Sequence, residues 1–476
     1  MPSIDANPHA PKDAGPRELL TARHAVMLVV GVVVGAGIFK APSLVAQMTG
    51  SAGWMFTAWL LGGLVSLIGA LCYAELATAY PSVGGDYHFL HRAYGRRVSF
   101  LFAWARFSVI TTGSIALLSF VFGDYLQQVL PLHSNAATGS ALYAAAVIVV
   151  LWWINARGLL AGASAQTWLT LLEIIGLLLV VAAAVSMLGA AAPAAAAAGS
   201  TPAAPLFGAA PGWAGFGLAM VFVLLTYGGW NEASYISAEL KDNRRNMVRV
   251  LVGSILLITL LYLLVTWAYW RVLGMEGMGR SEAVAADVLR VAFGPIGQTT
   301  ISLLVAVAAL SSINATMIVG ARSSYAAGCD WPALRRLAYW DAGRGSPAIA
   351  MAVQNIAALL LVGIGFLSGN GFRSMVEFTA PVFWLFFLLT GISLFVLRSR
   401  EPATPRPFSV PLYPVLPLIF CLTCGYMLWS SLSYAASQQL GGLNAGWIGV
   451  GVLVTGALVM ALLGAGRAPA LARDNP

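Results

Sequence analysis

Charge is what this sequence has least of. Only 9% of its residues are Asp, Glu, Lys or Arg and 59% are hydrophobic, where soluble domains carry about 25% charged residues. A water-soluble globule is excluded, because there is too little polar surface to cover one. Histidine and cysteine are scarce as well. His9, His24, His88, His91 and His133 fall at ends or loops, and no H-E-x-x-H or G-x-S-x-G occurs. No metal cluster and no nucleophile with its base is therefore in sight, and no catalytic residue, cofactor or metal is expected of this chain. Cys421 and Cys424 have C-x-x-C spacing inside "LPLIFCLTCGYML". With no histidine or second pair nearby, they read as small packing residues.

What the sequence has instead is long apolar runs, each able to supply the ~20 residues that cross a bilayer as helix. Twelve are read, near 24–48, 53–79, 98–130, 140–156, 165–189, 212–238, 248–273, 296–321, 347–368, 374–397, 412–433 and 446–465. The expected class is an all-α polytopic membrane protein with twelve transmembrane helices. Lys and Arg set its orientation. With the N-terminus inside, the inner segments hold Lys12, Arg17, Arg92, Arg96, Arg97, Lys241, Arg244, Arg245, Arg322, Arg335, Arg336, Arg398 and Arg400 among others, while Arg271, Arg280, Arg290 and Arg373 stay outside. Both termini are thus expected in the cytoplasm and the chain in the inner (cell) membrane. The +8 net charge is mostly this bias, and it gives no reason to invoke nucleic acid.

"MPSIDANPHAPKDAGPRELL" lacks the apolar core of a removable signal peptide, so the first span is expected to be retained. Gly189 to Gly212 is a low-complexity, Ala- and Pro-rich stretch that reads as a flexible outer connector. The organisation expected is a cytoplasmic tail (1–22), a first five-helix unit (23–189), the periplasmic loop (190–211), a second five-helix unit (212–397), two final helices (398–466) and a short cytoplasmic tail (467–476).

Two runs undermine themselves. "VVVGAGIFKAP", Val32 to Pro42, interrupts the first span with Gly35-Ala36-Gly37, and "LLTYGGWNEAS" sets Gly228-Gly229 at the middle of the sixth. Packing glycines are the ordinary reading of either alone. Breaks at corresponding positions of two five-helix halves are what inverted-repeat transporters use. Unwinding at Gly35, Ala36 and Gly37 frees N–H donors suited to a carboxylate. Unwinding near Thr226, Tyr227, Gly228 and Gly229, with the last carbonyls before the first break, frees acceptors for an ammonium group. The implied ligand is a zwitterion held by main chain.

Four segments carry a resemblance: "GVVVGAGIFKAPSLVA", "CYAELATAYPSVGGDYHFLHRAYG", "TYGGWNEASYISAELKDNRRNMVRVL" and "SSINATMIVGARSSYAAGCDW". In order and spacing the chain resembles the amino acid–polyamine–organocation (APC) superfamily permeases, and in particular their bacterial L-type amino acid transporter-like members. The resemblance implies a LeuT-type fold, a 5+5 inverted repeat plus two C-terminal helices, with amino acids as cargo and alternating access by rocking of a helix bundle. It also implies a carboxylate-binding turn at Gly35, Ala36 and Gly37 and amino-group carbonyls near Val32, Val33, Thr226 and Tyr227. Many relatives have an aromatic gate on span six. The aligned Leu225 departs from that, leaving Tyr227 and Trp230 as further candidates.

Ser311 and Ser312 match a region that supplies ion ligands in sodium-coupled members of the fold. Serines in a helix ordinarily bond back to their own carbonyls, which is the default expectation. Relatives often place a lysine on span five where this chain has Glu173, and Lys40 follows the first break where many are apolar. An unpaired charge at membrane depth costs roughly 2.5–3.5 kcal/mol even on a lenient scale. Lys40 is read as snorkelling outward or pairing with Glu173, and Glu173 as a neutral packing residue or a titrating group coupled to transport. In "AYPSVGGDYHFLHRAYGRR", a solvated inner turn competes with a gating element in which Glu75 and Asp86 exchange basic partners.

The function expected is a secondary active amino acid transporter, a permease, exchanger (antiporter) or proton symporter, with an amino acid substrate, the lipid bilayer and a proton as partners. A carrier of another amine such as a polyamine is the alternative, and a channel a remoter one.

Overall fold

The computed structural model describes residues 18–39, 41–188, 205–281, 284–368, 371–437, 439–440, 443–444 and 446–464. Lys40, the tails and most of the connector, residues 189–204, lie outside the described residues. The described residues are helical almost throughout, with one short hairpin among them, Gln439–Leu440 against Leu443–Asn444. Among the described residues, eight helices are long and apolar enough to cross a membrane, and Ala22–Val33, Ala348–Gly363 and Leu453–Leu463 are shorter apolar ones. Large apolar side chains such as Trp153, Trp168, Leu360 and Leu462 are exposed on the outer surface, as expected where lipid is the solvent. The protein is a polytopic all-α membrane protein.

The elements used below are span one (22–49), two (52–79), three (96–129), four (136–156), five (159–186), six (213–236), seven (243–280), eight (295–330), ten (371–400) and eleven (415–437). Local chemistry starts and stops them. Thr21 caps span one by accepting from the His24 amide at 3.3 Å, and Asn135 caps span four by accepting from Ala137 and Thr138. Such caps satisfy orphan donors at a helix start.

Span one is helical from Ala22 to Val33, bends at Val34 and Gly35, makes a short 3₁₀ turn over Ala36–Phe39, and resumes as Ala41–Thr49. Span six is α-helical from Trp213 to Thr226 and continues past Gly229 as a 3₁₀ segment, Trp230–Ile236. Gly229 sits at φ +111°, a left-handed value that only glycine adopts cheaply. Span three carries a π-helical turn over Arg106–Thr111.

One expectation is corrected. Arg322, assigned from the sequence to an inner segment after residue 321, lies within the span-eight helix Pro295–Asp330 and is fully buried. Its guanidinium forms a two-pronged pair with Glu239, at 3.1 and 2.6 Å. A counter-charge 83 residues away in sequence therefore lets the helix run on past the apolar window.

Candidate functional site

The two breaks meet. A Cβ built on Gly229 would stand 2.6 Å from Val32 Cγ1, and one built on Gly37 would stand 3.2 Å from the Thr226 side chain. Span seven joins them through one atom. The Tyr262 hydroxyl, fully buried, is 3.0 Å from the Val33 carbonyl and 3.0 Å from the Thr226 carbonyl. One proton is thus shared between the last carbonyl of each helical half. The Tyr262 ring is held edge-on against Trp59 and Tyr227, with centroids 5.6 and 5.0 Å apart.

On the other side of span one, spans five and eight supply a polar scaffold. Gln166 donates to Thr170 at 2.8 Å and to Ser311 at 3.0 Å, Thr170 donates to the Met27 carbonyl at 2.9 Å, and Asn314 donates to Gln166 at 2.8 Å. Asn155 of span four continues the chain to Asn314 at 2.8 Å. Gly31 faces this cluster without a side chain. A Cβ there would collide with Gln166, Ser311 and Thr170, so glycine here is a matter of approach rather than of backbone freedom.

The two serines depart from the default. Ser312 donates to the Gly31 carbonyl at 2.8 Å, and Ser311 bonds to Gln166 and, at 3.1 Å, to Thr170. They cross-link span eight to spans one and five because the neighbouring helix offers free carbonyls and hydroxyls. Beside Ser311, Glu173 is buried at 2% exposure. Neither of its carboxylate oxygens has a hydrogen-bond partner among the described residues. Tyr262 is within electrostatic reach of it.

Of the gate candidates, Tyr227 and Trp230 are fixed. Tyr227 donates to the Trp59 carbonyl at 3.2 Å and stacks with Tyr262, while Trp230 packs among Tyr73, Phe387 and Phe420. Leu225 is 42% exposed. The amides opening the turn at Ala36 and Gly37 have no acceptor within that turn, as holds for every helix start.

At the arginine-rich end of the bundle a second set of contacts ties span six to the segment after span two. Ser237 donates to the Ser82 carbonyl and accepts from the Ser82 amide, each at 2.9 Å. Leu20, ahead of span one, pairs with the strand-like tail of span six: its amide donates to the Glu239 carbonyl and its carbonyl accepts from Lys241, both at 2.9 Å. Glu75 takes Arg398 in two contacts, at 2.7 and 2.5 Å, with Arg406 at 3.4 Å and the Val410 amide at 2.7 Å. Asp86 differs from expectation. Its hydrogen-bonding partners are the Tyr235 hydroxyl and the Asn231 amide, not a base.

Tyr262, Gln166, Thr170 and Arg106 were not singled out from the sequence. Each is a polar residue within a largely apolar run, and only the tertiary contact reveals what it does.

The amino acid permease family profile matches residues 20–458, from the lead-in of span one to the last helix. Among curated proteins, the mouse b(0,+)-type amino acid transporter 1 is 28% identical over 406 residues, covering 85% of this chain and 80% of its own length. Asc-type amino acid transporter 1 of mouse is 29% identical over 404 residues (83% and 73%). Large neutral amino acids transporter small subunit 2 of mouse is 26% identical over 441 residues (90% and 80%). With a match of that extent running through both broken helices, this chain belongs to the amino acid permease family.

Proposed function

We propose that the protein is a secondary active transporter that moves an L-amino acid across the inner membrane by alternating access, with both termini and the arginine-rich end facing the cytoplasm. The observation that carries this reading is the meeting of the two broken helices under the Tyr262 hydroxyl. Main-chain groups at Gly35, Ala36 and Gly37 take the carboxylate, and the carbonyls near Val32, Val33, Thr226 and Tyr227 take the amine. Because Val33 and Thr226 already share the Tyr262 proton, an arriving ammonium group replaces or joins that donor. Non-helical backbone at membrane depth persists only where it is buried in protein or lines a water-filled cavity, and half-helix ends are suited to both charges of a zwitterion. Leu225, rather than Tyr227 or Trp230, is the side chain with room to cover the ligand.

Glu173 is the coupling group in this reading. A carboxylate buried with no counter-charge among the described residues is costly, and in this reading it holds a proton or a cation, or pairs with Lys40. Ser311 and Lys40 are its candidate partners, and Ser312 holds the neighbouring turn of span one.

The test is uptake into proteoliposomes of a panel of labelled amino acids, with and without internal amino acid, a pH gradient and sodium. Competition by the substrate amide and by its N-acetyl derivative should each fall tenfold or more, since an unsatisfied buried polar group costs about 1–3 kcal/mol. Equal competition by either blocked compound refutes main-chain recognition of a zwitterion and favours a carrier of another amine.

A further inference from the structure

Asp86 opens the short helix Asp86–Tyr94 directly after Gly85, in the segment between spans two and three. It is 2% exposed. Its Oδ2 accepts from the Tyr235 hydroxyl at 2.9 Å and from the Asn231 amide at 3.3 Å, and its Oδ1 has no partner among the described residues. The surrounding charges do not balance. Arg106, from the π-helical turn of span three, is also buried, and it is committed to Glu232 of span six in a two-pronged contact, Nη1 to Oε1 at 3.0 Å. The same guanidinium lies 4.1 Å over the Tyr235 ring. Two carboxylates therefore lie near one guanidinium, which pairs with Glu232 alone, and Asp86 is the buried one of the two.

We infer that Asp86 is a proton-binding site of the arginine-rich end, protonated on Oδ1 when span six is docked against the segment after span two and deprotonated when that end opens. The inference rests on the alternating-access reading above. Docking is what buries the group: Asn231, Tyr235 and the paired Ser237 all belong to the part of span six beyond its break, and a Cβ on Gly85 would stand 2.7 Å from the Tyr235 ring. When this part swings away, Asp86 loses both donors and gains water, and the proton passes to the water on that side. Burial raises the Asp86 pKa above the ordinary carboxylate range, against the opposing pull of Tyr73, Arg106 and Tyr235 and with the support of Glu232. The linkage follows. A group held at a raised pKa in the closed state stabilises that state at low pH, and the stabilisation is lost as pH rises through that pKa.

The other titratable groups on this helix face elsewhere. His88 is half-buried, and desolvation with Arg92 nearby lowers its pKa to about 4. Tyr87 and His91 reach Asp330 of span eight, at 2.7 and 3.0 Å. His91 is accordingly the rival sensor that the experiment must separate.

The reporter is Ser234→Cys, at a fully buried position beside Gly85, in a Cys329→Ser background. The other cysteines are buried. Labelling by a membrane-impermeant maleimide from the arginine-rich side is measured between pH 5 and 8, each rate divided by that of the unfolded protein at the same pH. The rate should rise with pH, by up to about tenfold per unit for one linked proton. Asp86→Asn should flatten the profile, and His91→Gln should leave it in place. Tyr235→Phe removes a donor that favours the carboxylate, so it should move the rise to higher pH, whereas mere loosening would lift labelling at every pH without moving it. A profile that survives Asp86→Asn, or vanishes in His91→Gln, overturns the inference alone. Absence of labelling at any pH overturns the alternating-access reading and the inference with it.

Discussion

Tyr262→Phe removes a single oxygen from the point where the two broken helices are joined. The ring and its edge-on contacts with Trp59 and Tyr227 are kept. What is lost is one proton shared by two carbonyls. Hydrogen bonds between membrane helices average ~0.6 kcal/mol and reach ~1.7, while leaving a buried acceptor unsatisfied costs about 1–3 kcal/mol. Only one proton is at stake, so the cost should be about 1–2 kcal/mol, and with tenfold in an equilibrium constant for each 1.4 kcal/mol the joined arrangement should become roughly five- to thirtyfold less populated. Uptake at subsaturating substrate in proteoliposomes should drop by that factor. Tyr269→Phe is the matched control. Tyr269 is equally buried on the same span, and its hydroxyl has no partner among the described residues, so its removal should leave uptake within about twofold. Wild-type uptake in Tyr262→Phe, or equal losses in both variants, would refute the claim that this hydroxyl holds the site together.

Gly31→Ala forces a methyl group into the Gln166, Ser311 and Thr170 cluster and should cost about 1–3 kcal/mol as overpacking, read as lowered thermal stability in detergent along with lost uptake. Gly35→Ala meets only the Ser312 hydroxyl, at 3.1 Å, and should cost visibly less in the same melt. Arg322→Met strands Glu239 as a buried unpaired charge and should destabilise by about 3–5 kcal/mol; adding Glu239→Leu should recover most of it, and a double variant no better than the single one would show that the pair does not act as a unit. Glu173→Gln should weaken any pH dependence of uptake more than it weakens exchange at constant pH, and Lys40→Met should do less. An unchanged pH profile in Glu173→Gln, with both faces buffered, would leave Glu173 a packing residue.

The breaks were legible because glycine is costly inside a helix and has no reason to be paired at corresponding depths unless the chain unwinds there. Glu173 was legible for the same kind of reason, as a lone acid in an apolar run. Its surroundings were not. Gln166 and Thr170 differ by four residues and so lie on one helix face, yet nothing in that spacing says that span eight brings Ser311 to them or that span one offers the Met27 carbonyl. Arg106 was hidden by averaging, since one cation hardly changes the hydropathy of a run from 98 to 130. Arg322 was misplaced for the opposite reason: its charge ended the apolar window, although a distant glutamate neutralises it inside the helix. In both cases the deciding partner is remote in sequence and lies on span six or on the tail that follows it, whose path could not be drawn before the break at Gly229 was turned.

The pairing of Leu20 with the tail of span six is made entirely by main chain. The lead-in of span one and the far end of span six are therefore yoked by a crossbar that side-chain variation at Leu20 or Leu240 leaves intact. Two doors hung on one crossbar do not open separately. In the transport cycle proposed above, the lead-in of span one and the end of span six would then move together at this end of the bundle. For the alternating access proposed above, such a linkage is the difference between a turnstile and a leak.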